Sequence, residues 1–262
     1  MRMIAIATLM LCAASRVILP IAHAEAAAGS PVLVELFTSE GCSSCPPADT
    51  FLRQLDASQP IAGAQLIVLS EHVDYWDHQG WPDPFASASL TSRQSAYVRA
   101  LRLREAYTPQ FIVDGAADMR LSNRQQIEQI LLKAAAAPKI PVSITSVTFD
   151  ANTPASLSGT IEVNGDAERT QSDLYVGVAL DHVESNVLRG ENRGRSLTHV
   201  AVVEELIELG TLTPGQKSTR EFRVTLKAGV QPHDVRIVAF VQESGHGKIV
   251  GAALRRTALD PG

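Results

Sequence analysis

Cysteine, positive charge and long apolar runs are all scarce in this chain, and each scarcity removes a class of protein. Only 3 cysteines occur among 262 residues, too few for a scaffold stapled by several disulfides or for a four-cysteine zinc site. Lys and Arg number 23 against 28 for Asp and Glu, a formal net charge of −5. With no strongly basic stretch to set against that balance, no nucleic acid partner is expected. The apolar run at residues 3–15 is too short to cross a bilayer and is followed by Arg16, so no stable membrane insertion is expected. Internal repeats are lacking too. What remains, at 45% hydrophobic and 19% charged, is an ordinary folded chain with room for one large domain or two modest ones.

The N-terminus carries Arg2, the short apolar run and a small-x-small site at Ala22-His23-Ala24. This is the anatomy of a secretory signal peptide over residues 1–24, cut after Ala24. Cys12 leaves with it, and Leu11 stands where lipoprotein cleavage wants a small residue. Loss of Arg2 and Arg16 leaves the exported chain more acidic still. The expected location is periplasmic or secreted, where a disulfide is permitted.

The mature chain then keeps one cysteine pair, Cys42 and Cys45, after the apolar run at 32–38 and before a helical pattern. Residues three apart on a first helical turn face the same way, close enough for a disulfide. Free N–H groups and the helix dipole there favour a thiolate. Cys42 reads as the nucleophile and Cys45 as the resolving thiol. Pro46 and Pro47 push the preceding residues from helical geometry, which predicts a helix starting at Pro47. The alternatives are an inert structural disulfide or part of a metal site. So small a loop removes little unfolded-state entropy, a poor reason to close it.

Along the chain, strands are expected at 32–38 and 66–69 with a helix between them, a βαβ unit with parallel strands. Residues 89–104 read as a helix with Leu90, Gln94, Tyr97 and Leu101 inward and Arg93, Arg99, Arg102 and Arg104 outward. A hairpin follows around Asp114-Gly115, then a helix to about Ala137 opened by a Ser122/Gln125 capping box. Beyond Pro141 seven β-prone runs recur, at 142–149, 157–163, 174–181, 198–203, 222–226, 235–241 and 249–252. Their number and spacing suit an antiparallel sandwich. The expected fold class is therefore α/β at residues 30–138, followed by an all-β sandwich domain at 141–258.

Thr108-Pro109 opens a strand. In a thioredoxin fold a cis proline at such a point lies against the C-x-x-C and frees the preceding backbone for an extended substrate, so Thr108 and Pro109 are the candidate substrate-binding residues. Glu35, Glu71 and Asp74 are candidates for relaying the thiol proton, since a desolvated carboxylate has a raised pKa. A metal reading would combine Cys42 and Cys45 with His72 and His78, although their spacing matches no familiar ligand pattern. Arg189, Glu191, Asn192, Arg193 and Arg195, with Gly190, Gly194 and then His199, form a charged loop that reads either as a solvated hairpin or as a segment meeting the dithiol.

Four stretches, ELFTSEGCSSCPPAD (35–49), SEHVDYWDHQGWPDPF (70–85), YTPQFIVDG (107–115) and LRGENRGRSLTH (188–199), resemble an exported bacterial family, domain of unknown function 1223. The resemblance runs through most of the mature chain and implies a thioredoxin-like fold for residues 30–138. Against familiar thioredoxins the chain has Gly41 where a tryptophan precedes the first cysteine, and a longer insert between Cys45 and Pro109. The function expected is an exported thiol–disulfide oxidoreductase acting on a protein or small-molecule thiol or disulfide, with no cofactor. The alternatives are a non-catalytic copper- or zinc-binding protein and a structural or interaction module.

Overall fold

The structure is a computed structural model that describes residues 29–150, 155–165 and 170–257. The expected leader and Cys12 lie outside the described residues. Strand β1 (Ser30–Thr38) is followed by α1 (Pro46–Ser58) and β2 (Ala64–His72), and β1 and β2 pair in parallel from Ser30↔Ala64 to Thr38↔His72. Helix α2 (Ala88–Ala100) leads to the short hairpin β3 (Gln110–Val113) and β4 (Ala117–Met119), with β3 antiparallel to β1. Helix α3 (Arg124–Ala136) closes this half.

The helices follow local chemistry with four departures from expectation, the first being that α2 ends at Ala100, short of the expected 104. Helix α1 begins at Pro46, and Cys45 takes αR geometry despite the proline after it. The prolines occupy N1 and N2, where an N–H has no intrahelical acceptor and its loss costs nothing. Asn123 caps α3 by accepting from Gln126 N at 3.1 Å, so Ser122 and Gln125 do not form the cap. Arg93 is buried, because the face of α2 that carries Leu90 and Tyr97 also meets Glu35.

All seven expected C-terminal strands are present: β5 (Val142–Asp150), β6 (Ser156–Val163), β7 (Ser172–Asn186), β8 (Ser196–Leu212), β9 (Ser218–Thr225), β10 (Val235–Glu243) and β11 (Ile249–Arg256). The expected fold class, a thioredoxin-like α/β domain followed by a separate all-β domain, is nevertheless wrong. Strand β8 joins β2 in parallel through Ser70↔Val202, giving one mixed eight-stranded sheet in the order β11-β10-β7-β8-β2-β1-β3-β4. Among the described residues β5, β6 and β9 form a second sheet.

Burial explains the union. One face of β1 and β2, with Val32, Val34, Leu36, Leu66 and Val68, is covered by Ala48, Leu52 and Leu55 of α1 and by Ile127 and Leu131 of α3. The opposite face, with Leu33, Ile67 and Leu69, packs on Tyr175, Val238, Phe240 and Ile249 of the later strands. Each such aliphatic side chain stabilises by ~1.5–3 kcal/mol when fully buried, and on this second face α2 contributes Leu90 while the later strands supply most of the cover. Periodicity reports which side of a strand is apolar; it does not report which distant segment covers it. The sandwich-like layer does exist, as β6 and β9 pack on the outer face of β7 and β10. Its inner sheet, however, is shared with β1–β4.

Candidate functional site

Beyond Thr38 the chain turns sharply: Cys42 N donates to Ser39 O at 3.1 Å and Cys45 N to Cys42 O at 3.2 Å. Cys42 and Cys45 form a disulfide with Cα atoms 5.5 Å apart. Both cysteines are fully buried, whereas Ser43 and Ser44 between them are exposed. Ser44 Oγ lies 3.3 Å from Cys42 Sγ. A Cβ on Gly41 would stand 3.0 Å from the Cβ of Trp76, so the residue before the dithiol is small because an indole-bearing turn rests on it.

Trp76 ties this turn to the proline. Its Nε1 donates to Thr108 Oγ1 at 2.8 Å, and the Thr108–Pro109 peptide bond is cis. Gln110 pairs with Phe37 and His72 with Thr38, so Thr108, Pro109 and the residues after β2 open on the sheet edge that carries the dithiol.

The candidate proton carriers point elsewhere. Glu35 is buried and accepts from Arg93 Nε at 2.7 Å and from Tyr97 OH at 2.6 Å. Asp74 accepts from Thr91 Oγ1 at 2.6 Å. Glu71 is fully buried with both oxygens unpartnered, and Arg93 Nε is 3.6 Å away. Burial, then the negative charge of Glu35, raises the Glu71 carboxyl well above the ordinary range. Of the histidines weighed as metal ligands, His72 Nδ1 is 2.7 Å from Asp83 Oδ2 and His78 is exposed. Among the described residues no group of three or more His, Cys, Asp or Glu is arranged to hold a metal ion.

A different ionisable cluster lies beside the dithiol. Glu40, Asp49, His72, Asp83 and His199 are all buried. His199 Nε2 is 3.6 Å from Glu40 Oε1 and its Nδ1 is 3.7 Å from Asp49 Oδ1, while its ring meets that of His72 edge-on at 4.8 Å. Burial alone would lower the His199 pKa, but Asp49 and Glu40 outweigh it and raise it to about 9. Burial would likewise raise the Asp83 carboxyl. The charge and hydrogen bond of His72, with the Glu40 and Phe85 N–H groups, instead hold it at about 2. Sequence reasoning passed over Glu40, Asp49 and Asp83. Asp49 had a legible signal, standing one helical turn after Cys45.

The charged loop at 187–195, which joins β7 to β8, is seated on the dithiol turn. Asn192 Nδ2 donates to Glu40 O at 2.8 Å and to Cys42 O at 2.9 Å, and the Glu191 carboxylate accepts from Ser43 N at 3.1 Å. Gly190, at φ +75°, sits where a Cβ would come within 3.1 Å of the Trp81 Cβ. Trp81 in turn donates from Nε1 to Glu40 Oε2 at 2.7 Å. The four motif stretches thus converge on one place.

A search of curated proteins finds no match. Among solved structures, the crystal structure of protein AGR_C_4864 from Agrobacterium tumefaciens is similar at 25% identity and a TM-score of 0.66, covering 90% of this chain and 97% of that one. HBP35 of Porphyromonas gingivalis is similar in fold at 14% identity and a TM-score of 0.58, over 88% of this chain and 76% of its own. The model of the family described as protein of unknown function (DUF1223) matches residues 33–242, and the chain belongs to that family.

Proposed function

We propose that this protein exchanges thiols and disulfides through Cys42 and Cys45 after export to an oxidising compartment. The observation that carries the reading is the Cys42–Cys45 disulfide just ahead of α1, with Cys45 at its N-cap, bridging residues three apart, where stabilisation of the fold is a weak reason for a cross-link and a thiolate is favoured. Cys42 attacks a partner disulfide, one partner sulfur leaves, and Cys45 displaces the second by forming the Cys42–Cys45 bond. The substrate is a protein or small-molecule disulfide; Thr108 and Pro109, on the same sheet edge, are its docking backbone. Because both cysteines are buried, a partner has to shift the covering turn or the 187–195 loop to reach them.

The experiment is a trap. Cys45→Ser should accumulate mixed disulfides with exported partners, resolved by reductant, and Cys42→Ser should not. If neither variant captures a partner or a model disulfide peptide, the exchange reading fails and the disulfide is structural.

A further inference from the structure

Building on that reading, we propose that His199 is a positioning residue, brought from the second half of the chain on β8, whose positive charge holds the attacking sulfur of the reduced dithiol as a thiolate. The geometry brackets the dithiol. Glu40 precedes Cys42 by two residues and Asp49 follows Cys45 by one helical turn, its N–H donating to Cys45 O at 3.1 Å. One imidazole, 1% exposed, reaches both, at 3.6 Å and 3.7 Å.

Neither nitrogen of His199 has a hydrogen-bond partner, and neither does Glu40 Oε1. At these separations the imidazole acts on the two carboxylates by charge. The other groups around it are His72 of β2, Asp83 behind His72, the Ser185 hydroxyl on Glu40, and Arg53 of α1, whose guanidinium donates to Thr198 O at 3.1 Å. Three buried carboxylates thus crowd the turn that carries the dithiol. Left uncompensated they would disfavour a further negative charge on sulfur. His199, charged at neutral pH, offsets Glu40 and Asp49 from within 4 Å, and Asp83 is paired with His72.

The step concerned is reduction. A dithiol reductant supplies two electrons that break the Cys42–Cys45 bond and becomes a disulfide itself. One of its protons stays on one sulfur of the protein and the other goes to water, leaving the second sulfur as thiolate. Removing the His199 charge should move that second proton back onto sulfur.

The test is a thiolate titration, by ultraviolet absorbance, of the reduced full-length chain. The wild type should ionise below the ~8.5 of a free cysteine. His199→Gln should raise the midpoint and cut the thiolate fraction at neutral pH roughly tenfold, the effect of one pKa unit. Glu40→Gln keeps an oxygen acceptor for Trp81 but removes a negative charge, so it should move the midpoint down. Opposite shifts from adjacent residues are not what a loosened fold produces. Superimposable curves, or shifts of the same sign, would overturn the proposal. If circular dichroism shows His199→Gln unfolded, Glu40→Gln decides alone, an unchanged or raised midpoint overturning it. The titration needs no partner, so an empty trap alongside shifted midpoints would sink the exchange function and leave the electrostatic role standing.

Discussion

Glu71 is an acid placed where ionisation is costly, with its side chain fully buried, neither oxygen hydrogen-bonded and Glu35 nearby, a cost that Arg93 at 3.6 Å offsets only in part. Its folded pKa is raised, so as pH climbs past ~4.3 the unfolded chain releases a proton that the folded chain keeps. Stability is therefore lost with rising pH until the folded carboxyl itself ionises. Glu71→Gln has no proton to lose. Urea unfolding at pH 4 and pH 7 should show the variant gaining on the wild type at the higher pH, and an equal difference at both would mean that Glu71 ionises as in water. Arg93 belongs to the same group, bonded to Glu35, Tyr97 and Gln242. Arg93→Ala should cost about 3–5 kcal/mol by stranding a buried carboxylate, measured by the same unfolding experiment; a loss under 1 kcal/mol would show that water solvates Glu35. These roles are not legible in sequence. Arg93 is one of four arginines between residues 93 and 104, and only Glu35, 58 residues away, reveals which one turns inward.

The element with most influence on the site is the loop at 187–195. It braces itself through Gly194 N to Val187 O at 2.7 Å and Val187 N to Arg195 O at 3.0 Å, and it inserts one buried polar side chain, Asn192. Asn192→Ala should leave two carbonyls without their donor, a loss of about 1–3 kcal/mol, and should speed chemical reduction of the disulfide. Exposed Glu191→Gln should leave global stability unchanged. If Asn192→Ala leaves both stability and reduction rate unaltered, the loop rests on the dithiol without holding it. The loop's composition was legible and its destination was not, because Arg189, Arg193 and Arg195 fit an exposed hairpin tip equally well. Strands were legible for the same local reason: period-two patterning located all seven C-terminal runs. It understated β7 and β8, whose distal halves are almost entirely intermediate or exposed and so lack the buried run that marks their first halves.

At the scale of the whole molecule, the two halves are joined by more than adjacency. Arg236 of β10 makes paired 2.9 Å bonds to both carboxylate oxygens of Asp56 at the end of α1, and Arg256 of β11 reaches the same carboxylate at 2.8 Å and 2.9 Å. Asp114 accepts from Leu33 N through Oδ1 at 2.9 Å and from Ile249 N through its backbone oxygen at 2.8 Å. Such ties add orientation more than stability; the apolar face of Leu33, Ile67 and Leu69 against Tyr175, Val238 and Phe240 supplies the latter. A fragment ending at residue 139 would expose that face and leave β2 as an unpaired edge. The fragment 29–139 should therefore lack a cooperative thermal transition and give a poorly dispersed amide spectrum, while the full chain unfolds in one step. A sharp transition and a dispersed spectrum from the fragment would instead make residues 30–138 an autonomous domain, and the long β8 strand an attachment to it.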